Sequence, residues 1–293
     1  MNCSNGFKEI SDNEFKKSIN SYRKITLEEM DPFHMVIFDN FFSNEYSNKM
    51  TEGFMKMYNR GLVEKISSHG MDTNNLCKIA WYDAYSNALN PCEKLFEILH
   101  SNHFLNYIQS LFPELYFTNH IITETHHHKI GSDDGAVHND HDTAYFSDDP
   151  LSNGINVWYH NAMYRKFSDD QVESPRTVAL IYYLDDHTID YDRKPGENSD
   201  WYKDEWGGHT GLFHEINTND IIDSNDYLFA KIKPIPNRLV VYELGPNSWH
   251  AFRKNMKFER NTLNLFYHST PEFLKERWPN NPVTTFEDNH YVG

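Results

Sequence analysis

Apolar and polar positions follow two different periods along the chain, and each period predicts its own kind of secondary structure. Four apolar or aromatic side chains between residues 44 and 59 lie three to four positions apart: Tyr46, Met50, Phe54 and Met57. That spacing is typical of one helix face. Pro91 and the apolar residues after it predict a pair of helices broken near Asn102. We expect these helices to pack against the outer face of a sheet.

Further along the chain the pattern favours β-strands. Residues 176–184 form a β-rich run, residues 206–213 have two glycines at the start of another predicted strand, and residues 236–242 lead into a third. Residues 261–268 alternate between polar and apolar, as a half-buried strand does. We therefore predict a mainly β fold, a jelly roll of antiparallel strands with supporting N-terminal α-helices. Such a fold brings segments together that are distant in the sequence.

The chain is predicted to be a single domain, 1–293, with four parts. These are an N-terminal arm at 1–31, supporting helices and strands at 32–115, the jelly-roll core at 116–270 and a tail at 271–293. With 39% hydrophobic residues, a chain of this length is able to bury a full core.

Two insertions interrupt the predicted core, at residues 143–175 and 186–205. Loops this long within one domain usually form lids or binding loops, and their aromatic residues argue against plain disorder. We expect them to cover a binding site; a contact between subunits is the alternative.

Composition and charge restrict the classes of partner. A formal net charge of −16 argues against a nucleic-acid partner, because phosphate contacts need clustered Lys and Arg. No run approaches the roughly 18 apolar residues of a membrane span, and the N-terminus lacks the apolar core of a secretory signal. Cys3, Cys77 and Cys92 have no metal-binding spacing and cannot all pair. We expect a cytoplasmic protein with no membrane partner; the oligomeric state stays open, a homodimer included.

Two distant segments carry the most specific chemistry. His138 and Asp140 lie two positions apart in a β-prone run, so we expect both side chains on one face of a strand. His250 would come from another strand that folds back beside them. Two histidines and one carboxylate around a metal leave positions free for oxygen and a substrate, as in non-haem Fe(II) oxygenases. The alternative is a chance His-x-Asp in a solvated loop, since the chain has 17 histidines.

The order of these residues and of the strands between them resembles the prolyl-hydroxylase-like branch of the 2-oxoglutarate/Fe(II) dioxygenases. The resemblance extends from about residue 33 to residue 270, and residues 32–43 are similar to the family's opening strand and helix. It implies a dioxygenase domain built on a double-stranded β-helix, with three metal ligands: His138, Asp140 and His250. It places Arg260, ten residues after the second histidine, at the far carboxylate of 2-oxoglutarate. Thr262 occupies the hydroxyl position that often assists.

One position departs from the family pattern. Members of this branch often have a tyrosine ten residues before the first histidine, where it binds the co-substrate. Here that position is His128, which follows His126 and His127. A neutral imidazole can donate a similar hydrogen bond, so His128 is our candidate for this role. The alternative is that the three histidines are surface residues at the end of a strand.

The resemblance also implies a reaction. Fe(II), 2-oxoglutarate and O2 would be used, with ascorbate as an optional reductant, and 2-oxoglutarate would leave as succinate and CO2 while a substrate C–H bond is hydroxylated. Asp140 argues against halogenation, because halogenating relatives have a small residue there. Desaturation or ring closure would use the same ligands.

Three functions are compatible with these residues. The first is hydroxylation of a small molecule, such as an amino acid or a specialised metabolite, enclosed by the aromatic insertions. The second is prolyl hydroxylation of a protein or peptide, which would need an open groove. The third is a cupin-like metal-binding jelly roll without oxygenase activity. Arg260 and Thr262 argue against the third, since neither is needed merely to hold a metal.

Overall fold

The computed structural model describes residues 11–19, 23–26, 34–59, 64–65, 76–80, 98–135, 137–147, 159–160, 163–164, 169, 171–184, 202–214 and 227–283. Its strands are β1 (Arg23–Thr26), β2 (Met35–Asp39), β3 (Glu64–Lys65), β4 (Leu76–Ala80), β5 (Ile121–His128), β6 (Thr143–Ser147), β7 (Tyr159–His160), β8 (Met163–Tyr164), β9 (Gln171–Tyr183), β10 (Thr210–Phe213), β11 (Leu228–Ile232), β12 (Leu239–Glu243), β13 (His250–Phe252) and β14 (Arg260–His268). Its helices are α1 (Asp12–Ser18), α2 (Asn44–Asn59), α3 (Asn102–Leu111) and α4 (Pro271–Arg277), with a short 3-10 helix at Asp204–Trp206.

One large antiparallel sheet carries most of the strands. Its order is β1-β2-β12-β9-β14-β5-β4-β3, and β6 pairs with β9 beyond this path. The long central strands β9 and β14 run together from the Thr262–Tyr183 pair to the His268–Arg176 pair, with a register shift after Tyr267. Strands β1 to β4 thus share one sheet with β5, β6, β9, β12 and β14, although the division of 1–293 into parts stays a prediction.

A second, smaller sheet of order β11-β10-β13 faces the large one. An antiparallel bridge between His138 and His250 adds the segment at residue 138 to its edge. Side chains from both sheets pack into one inner core, which includes Ile181, Tyr183, Leu212, Ile232, Val240, Tyr242 and Phe266. Two antiparallel sheets around a shared core form a double-stranded β-helix, so the predicted fold class is confirmed.

Alternate residues of the same strands point to the opposite face and build an outer core. Leu180 and Leu263 of the large sheet pack there with Phe54 of α2 and Phe104 of α3. This two-sided burial follows from the two-residue period of strands. The helix predicted between residues 44 and 59 is confirmed as α2, and it supports the large sheet as expected.

A helix boundary lies at Asn102, where the sequence predicts a break between two helices. Ser101 caps α3 by accepting a hydrogen bond from the Phe104 backbone N–H at 3.1 Å, which satisfies a free donor of the first turn. Asn102 is therefore the first residue of a helix, as a break near this position predicts. The upstream helix of that pair, predicted to begin near Pro91, falls mostly on residues 91–97, outside the described residues.

The first insertion is shorter than the predicted range of 143–175, because strands extend into that range from both ends. β6 pairs with the start of β9, with Thr143 opposite Pro175 and Ser147 opposite Gln171. Burial of Ala144 and Phe146 in the inner core stabilises this strand. Most of the intervening residues, and residues 186–201 of the second insertion, lie outside the described part of the chain, so the lid stays a prediction.

The C-terminal segment contains a helix that the sequence analysis did not predict. Thr270 caps α4 by accepting from the Phe273 backbone N–H at 3.2 Å, and Pro271 suits the first helical position. Arg277 binds Glu243 of β12 through two hydrogen bonds of 2.7 and 2.9 Å. None of the helices in the described ranges combines the length and apolar character needed to cross a membrane.

Candidate metal centre

His138 and His250 are joined through their main chains. The His138 N–H donates to the His250 carbonyl at 3.0 Å, and the His250 N–H donates to the His138 carbonyl at 2.7 Å. This reciprocal pair sets the two imidazole rings beside each other, with centroids 4.5 Å apart. The side chain of His138 is 29% exposed, whereas that of His250 is 7% exposed. The side chain of His138 is therefore partly accessible to solvent, and that of His250 is buried.

Asp140 joins the two histidines by a turn, not by a strand. Its φ of 55° lies in the left-handed region, which Asp tolerates better than most residues. One carboxylate oxygen, Oδ2, lies 3.7 Å from His138 Nε2 and 3.3 Å from His250 Nε2. The three ligand atoms all lie within 4.8 Å of one another. The predicted strand geometry at His138 and Asp140 is thus wrong, but the side chains come together.

The electrostatics of the site keep Asp140 ionised. Burial opposes its negative charge, yet the charges of His138 and Arg176 outweigh burial and hold the pKa of Asp140 well below its usual range. A charged carboxylate beside two imidazoles is the form that binds a metal.

His250 is held in the tautomer that a metal ligand needs. Its Nδ1 lies 2.8 Å from the Ser248 carbonyl oxygen, and because a carbonyl only accepts, we assign the proton to Nδ1. The lone pair is then on Nε2, which faces Asp140. The Tyr242 hydroxyl lies 3.1 Å from this nitrogen. Burial, with the Asp140 charge second, raises the pKa of Tyr242 well above 10.0, so the phenol keeps its proton and donates.

These donors fit a divalent first-row metal. Two imidazole nitrogens and one carboxylate oxygen are the ligand set of a 2-His-1-carboxylate site, which leaves other coordination positions free. Their role as metal ligands stays a prediction, although the spatial arrangement meets its requirement.

Arg176 is a site residue that the sequence analysis missed. It lies on β9, and its Nη1 donates to Asp140 Oδ1 at 2.7 Å, the carboxylate oxygen that faces away from the histidines. The contact joins residues 36 positions apart, so no local pattern in the sequence could have predicted it.

Arg260 lies inside the barrel, at the first residue of β14. Its residue exposure is 7%, and its guanidinium lies 5.3 Å from the ring centroid of Tyr183 and 5.1 Å from that of Phe252. Its Nη2 donates to Thr210 Oγ1 at 3.0 Å, and Thr210 Oγ1 lies 2.7 Å from the Tyr183 hydroxyl. The sequence analysis also missed Thr210 and Tyr183 as site residues. They lie on other strands, β10 and β9, and only the packing of the sheets brings them close to Arg260.

The buried guanidinium has unused donor capacity. Among the described residues, neither Arg260 Nε nor Thr262 Oγ1 has a hydrogen-bond partner. Thr262 is fully buried and lies two residues from Arg260 on the same strand face. A carboxylate fits such a place, because a guanidinium fork binds it with two parallel hydrogen bonds. The residues present therefore suit the predicted co-substrate.

His128 lies directly across the sheet from Arg260. Its ring stacks on Phe252 at 3.8 Å between centroids, and its Nδ1 lies 3.4 Å from Arg260 Nη1. Burial, with the Arg260 charge second, lowers the pKa of His128 well below 6.5, so the imidazole is neutral. The surface alternative is wrong for His127 and His128, which are 0% and 5% exposed. Binding of a co-substrate by His128 stays a prediction.

His141 is separate from the group formed by His138, Asp140 and His250. It is buried, and its Nε2 lies 3.4 Å from the Asn281 carbonyl oxygen. Burial lowers the pKa of His141. The sequence pattern His-x-Asp-His thus contains one histidine that faces the carboxylate and one that packs against the C-terminal segment.

Comparison with known proteins gives similarity at the level of structure. No protein-family model matches the chain, and no curated protein matches it in sequence. A prolyl-4-hydroxylase from Pseudomonas putida is 13% identical, with a TM-score of 0.48, over 83% of this chain and 96% of that one.

Two further solved structures are similar. A prolyl hydroxylase from Trichoplax adhaerens, in complex with a peptide fragment of the hypoxia inducible factor oxygen degradation domain, is 15% identical with a TM-score of 0.49, over 87% of this chain and 91% of that one. A prolyl 4-hydroxylase from Phytophthora capsici is 16% identical with a TM-score of 0.48, over 94% and 79% of the two chains. At this level of identity and superposition, the function has to be inferred from the residues of the site itself.

Proposed function

We propose that this protein is an Fe(II)- and 2-oxoglutarate-dependent oxygenase that hydroxylates an unactivated C–H bond. One observation carries the proposal: His138, Asp140 and His250 converge at one place in the barrel, and a buried arginine with an unused donor lies on the inner face of the same barrel. The first group suits Fe(II), and Arg260 suits a dicarboxylate co-substrate.

Each residue has a defined task in this proposal. His138, Asp140 and His250 would hold Fe(II), which together with 2-oxoglutarate supplies the activation of O2. Arg260 would bind the far carboxylate of 2-oxoglutarate, and its burial strengthens that pair because little water competes. Thr210 keeps the guanidinium in place by accepting its Nη2 hydrogen bond at 3.0 Å. The Ser248 carbonyl orients His250 by accepting a hydrogen bond from its Nδ1.

We propose a small molecule, such as an amino acid or a specialised metabolite, as the substrate. The aromatic residues between β6 and β9 and those of the insertion at 186–205 support this choice, because aromatic side chains are typical of enclosed ligand sites. Hydroxylation of a prolyl residue in a peptide is the second candidate, and it would use the same ligands. A metal-binding protein without oxygenase activity would have no use for Arg260 buried with a free Nε.

The central experiment measures succinate formed from 2-oxoglutarate, with and without Fe(II). We expect Fe(II)-dependent succinate formation, its loss in His138→Ala and its retention in His141→Ala, because His141 lies outside the ligand group. Absence of turnover in a protein that binds Fe(II) would contradict the proposed activity.

A second experiment identifies the substrate class. Coupled and uncoupled turnover are compared over two panels, one of free amino acids and small metabolites and one of proline-containing peptides. A stimulation of succinate formation by members of the first panel alone is the expected result. Stimulation by the peptides alone would establish the second candidate.

A further inference from the structure

We propose that Asp142 and Arg176 form a positioning relay for the metal-binding carboxylate. Asp142 holds the guanidinium of Arg176, and Arg176 holds Asp140 so that a single oxygen faces the two histidines. The inference rests on the proposed function, because it takes Asp140 as a metal ligand. It assigns a role to Asp142, the last residue of the His-x-Asp-His-Asp pattern, which is not one of the three predicted metal ligands.

Asp142 is tied to the site through both its main chain and its side chain. It is 1% exposed, and its Oδ1 lies 3.1 Å from Arg176 Nε. This contact is a buried ion pair and does not have the geometry of a hydrogen bond. Its N–H donates to the Asp140 carbonyl at 2.8 Å, and its own carbonyl accepts from the Arg176 N–H at 2.9 Å. The turn that contains Asp140 is thereby attached to β9 at Arg176.

The guanidinium of Arg176 joins two carboxylates at once. Its Nε side faces Asp142, and its Nη1 donates to Asp140 Oδ1 at 2.7 Å. Its flat face lies 4.0 Å from the ring centroid of Phe266, and the side chain is 4% exposed. A planar fork fixed on three sides has little freedom to rotate. Lysine, with a single compact charge, cannot reproduce this bridge.

The contact with Arg176 determines which oxygen of Asp140 is available to a metal. Because Arg176 occupies Oδ1, only Oδ2 is directed at the two histidines, 3.7 Å from His138 Nε2 and 3.3 Å from His250 Nε2. A carboxylate held in this way would give one oxygen to a bound metal. O2 and the co-substrate would then not compete with its second oxygen.

The charges of the relay also require all three members. Two buried carboxylates close together repel each other unless a cation lies between them. Arg176 leaves the group with a net charge of −1, which attracts a divalent cation without the repulsion of an unpaired second acid. Removal of Asp142 takes one carboxylate away from Arg176, so the orientation of Asp140 loses part of its support.

The test is a titration of the metal-free protein with Co(II), whose absorption bands report both occupancy and coordination geometry. Asp142→Asn and Arg176→Gln should each weaken Co(II) binding roughly ten- to a hundredfold, as loss of an outer-shell partner typically does, and should change the bands. Asp39→Asn is the matched control, since it removes a carboxylate from another buried arginine pair, with Arg238 Nε at 2.6 Å. It should bind Co(II) as the unmodified protein does.

A double variant separates a relay from a general structural role. If Asp142 acts only through Arg176, Asp142→Asn combined with Arg176→Gln should bind Co(II) no more weakly than Arg176→Gln alone. Additive losses, or unchanged affinity and bands in Asp142→Asn, would overturn the inference. Where Asp142→Asn does not fold, Arg176→Lys carries the test, because it keeps the charge and loses the bridge; unchanged bands there would also overturn it. If the unmodified protein binds no Co(II), the proposed function itself fails.

Discussion

The Tyr242 hydroxyl donates a hydrogen bond to His250 Nε2 over 3.1 Å, so a phenol is directed at the lone pair that a metal would need. One lone pair cannot serve both partners. Metal binding at His250 must therefore break this hydrogen bond and change the surroundings of a tyrosine that is 1% exposed.

The first prediction follows from this competition. Addition of Zn(II), which has no visible absorption of its own, should produce a near-ultraviolet tyrosine difference spectrum that saturates with metal occupancy. Tyr242→Phe should abolish that spectrum while the protein still binds Zn(II). A spectrum that persists in Tyr242→Phe would place the metal away from His250.

The second prediction concerns the co-substrate pocket. Arg260→Gln should weaken binding of 2-oxoglutarate to the Fe(II) form by about thirty- to several-thousandfold, because truncating one partner of a buried charge pair costs roughly 2–5 kcal/mol. The charge-transfer band of anaerobic Fe(II) protein with 2-oxoglutarate measures the affinity. Arg277→Gln is the control, since Arg277 pairs with Glu243 near the surface. Equal affinity in Arg260→Gln and Arg277→Gln would remove Arg260 from the co-substrate site.

The third prediction concerns His128, where the family pattern has tyrosine. His128→Phe keeps an aromatic ring to stack on Phe252 and removes the ring nitrogens. We expect about two- to tenfold weaker 2-oxoglutarate binding, the effect of one net hydrogen bond of about 0.5–1.5 kcal/mol. His128→Tyr, which restores a hydroxyl donor, should recover much of the loss. An unchanged affinity in His128→Phe would show that the imidazole serves packing alone.

The fourth prediction concerns acid stability. Burial lowers the pKa of His209 from 6.5 to about 4, although Asp204 opposes the shift. Between these two pH values the unfolded chain binds a proton that the folded chain does not, so stability falls as the pH falls through this window. The loss reaches roughly 3–4 kcal/mol for the full shift, at about 1.4 kcal/mol per pH unit.

Denaturant unfolding measured across that range should show the effect. His209→Asn should flatten the pH dependence of the free energy of unfolding between pH 6.5 and about 4, whereas His214→Asn, at an exposed position, should leave it unchanged. An identical slope in His209→Asn would mean that other buried histidines, such as His128 and His268, carry the acid sensitivity.

The sequence predicted those features that depend on local periodicity. The alternation in residues 261–268 placed Arg260 and Thr262 on one face of β14, and both are buried in the structure. The three-to-four spacing between residues 44 and 59 predicted α2 with its observed bounds. In both cases the side-chain direction follows from the period of a single element.

Features that depend on contacts between distant segments were not predictable in this way. Asp140 reaches the histidines through a left-handed turn, and a strand-like spacing gave no sign of it. Arg176 belongs to the site through its hydrogen bond to Asp140, which lies 36 positions away in the sequence. Thr210 binds Arg260 across 50 residues. Only the packing of the two sheets decides such contacts.

The main-chain bridge between His138 and His250 has a consequence for the thermodynamics of metal uptake. Because two of the three predicted metal ligands are neighbours through their own backbone hydrogen bonds, we expect the proposed site to be preorganised for an ion. Little of the binding free energy is then spent on ordering the chain, in contrast to small zinc domains that fold only with their metal. Chelation should accordingly empty the site and leave the barrel folded, which makes the metal exchangeable without denaturation.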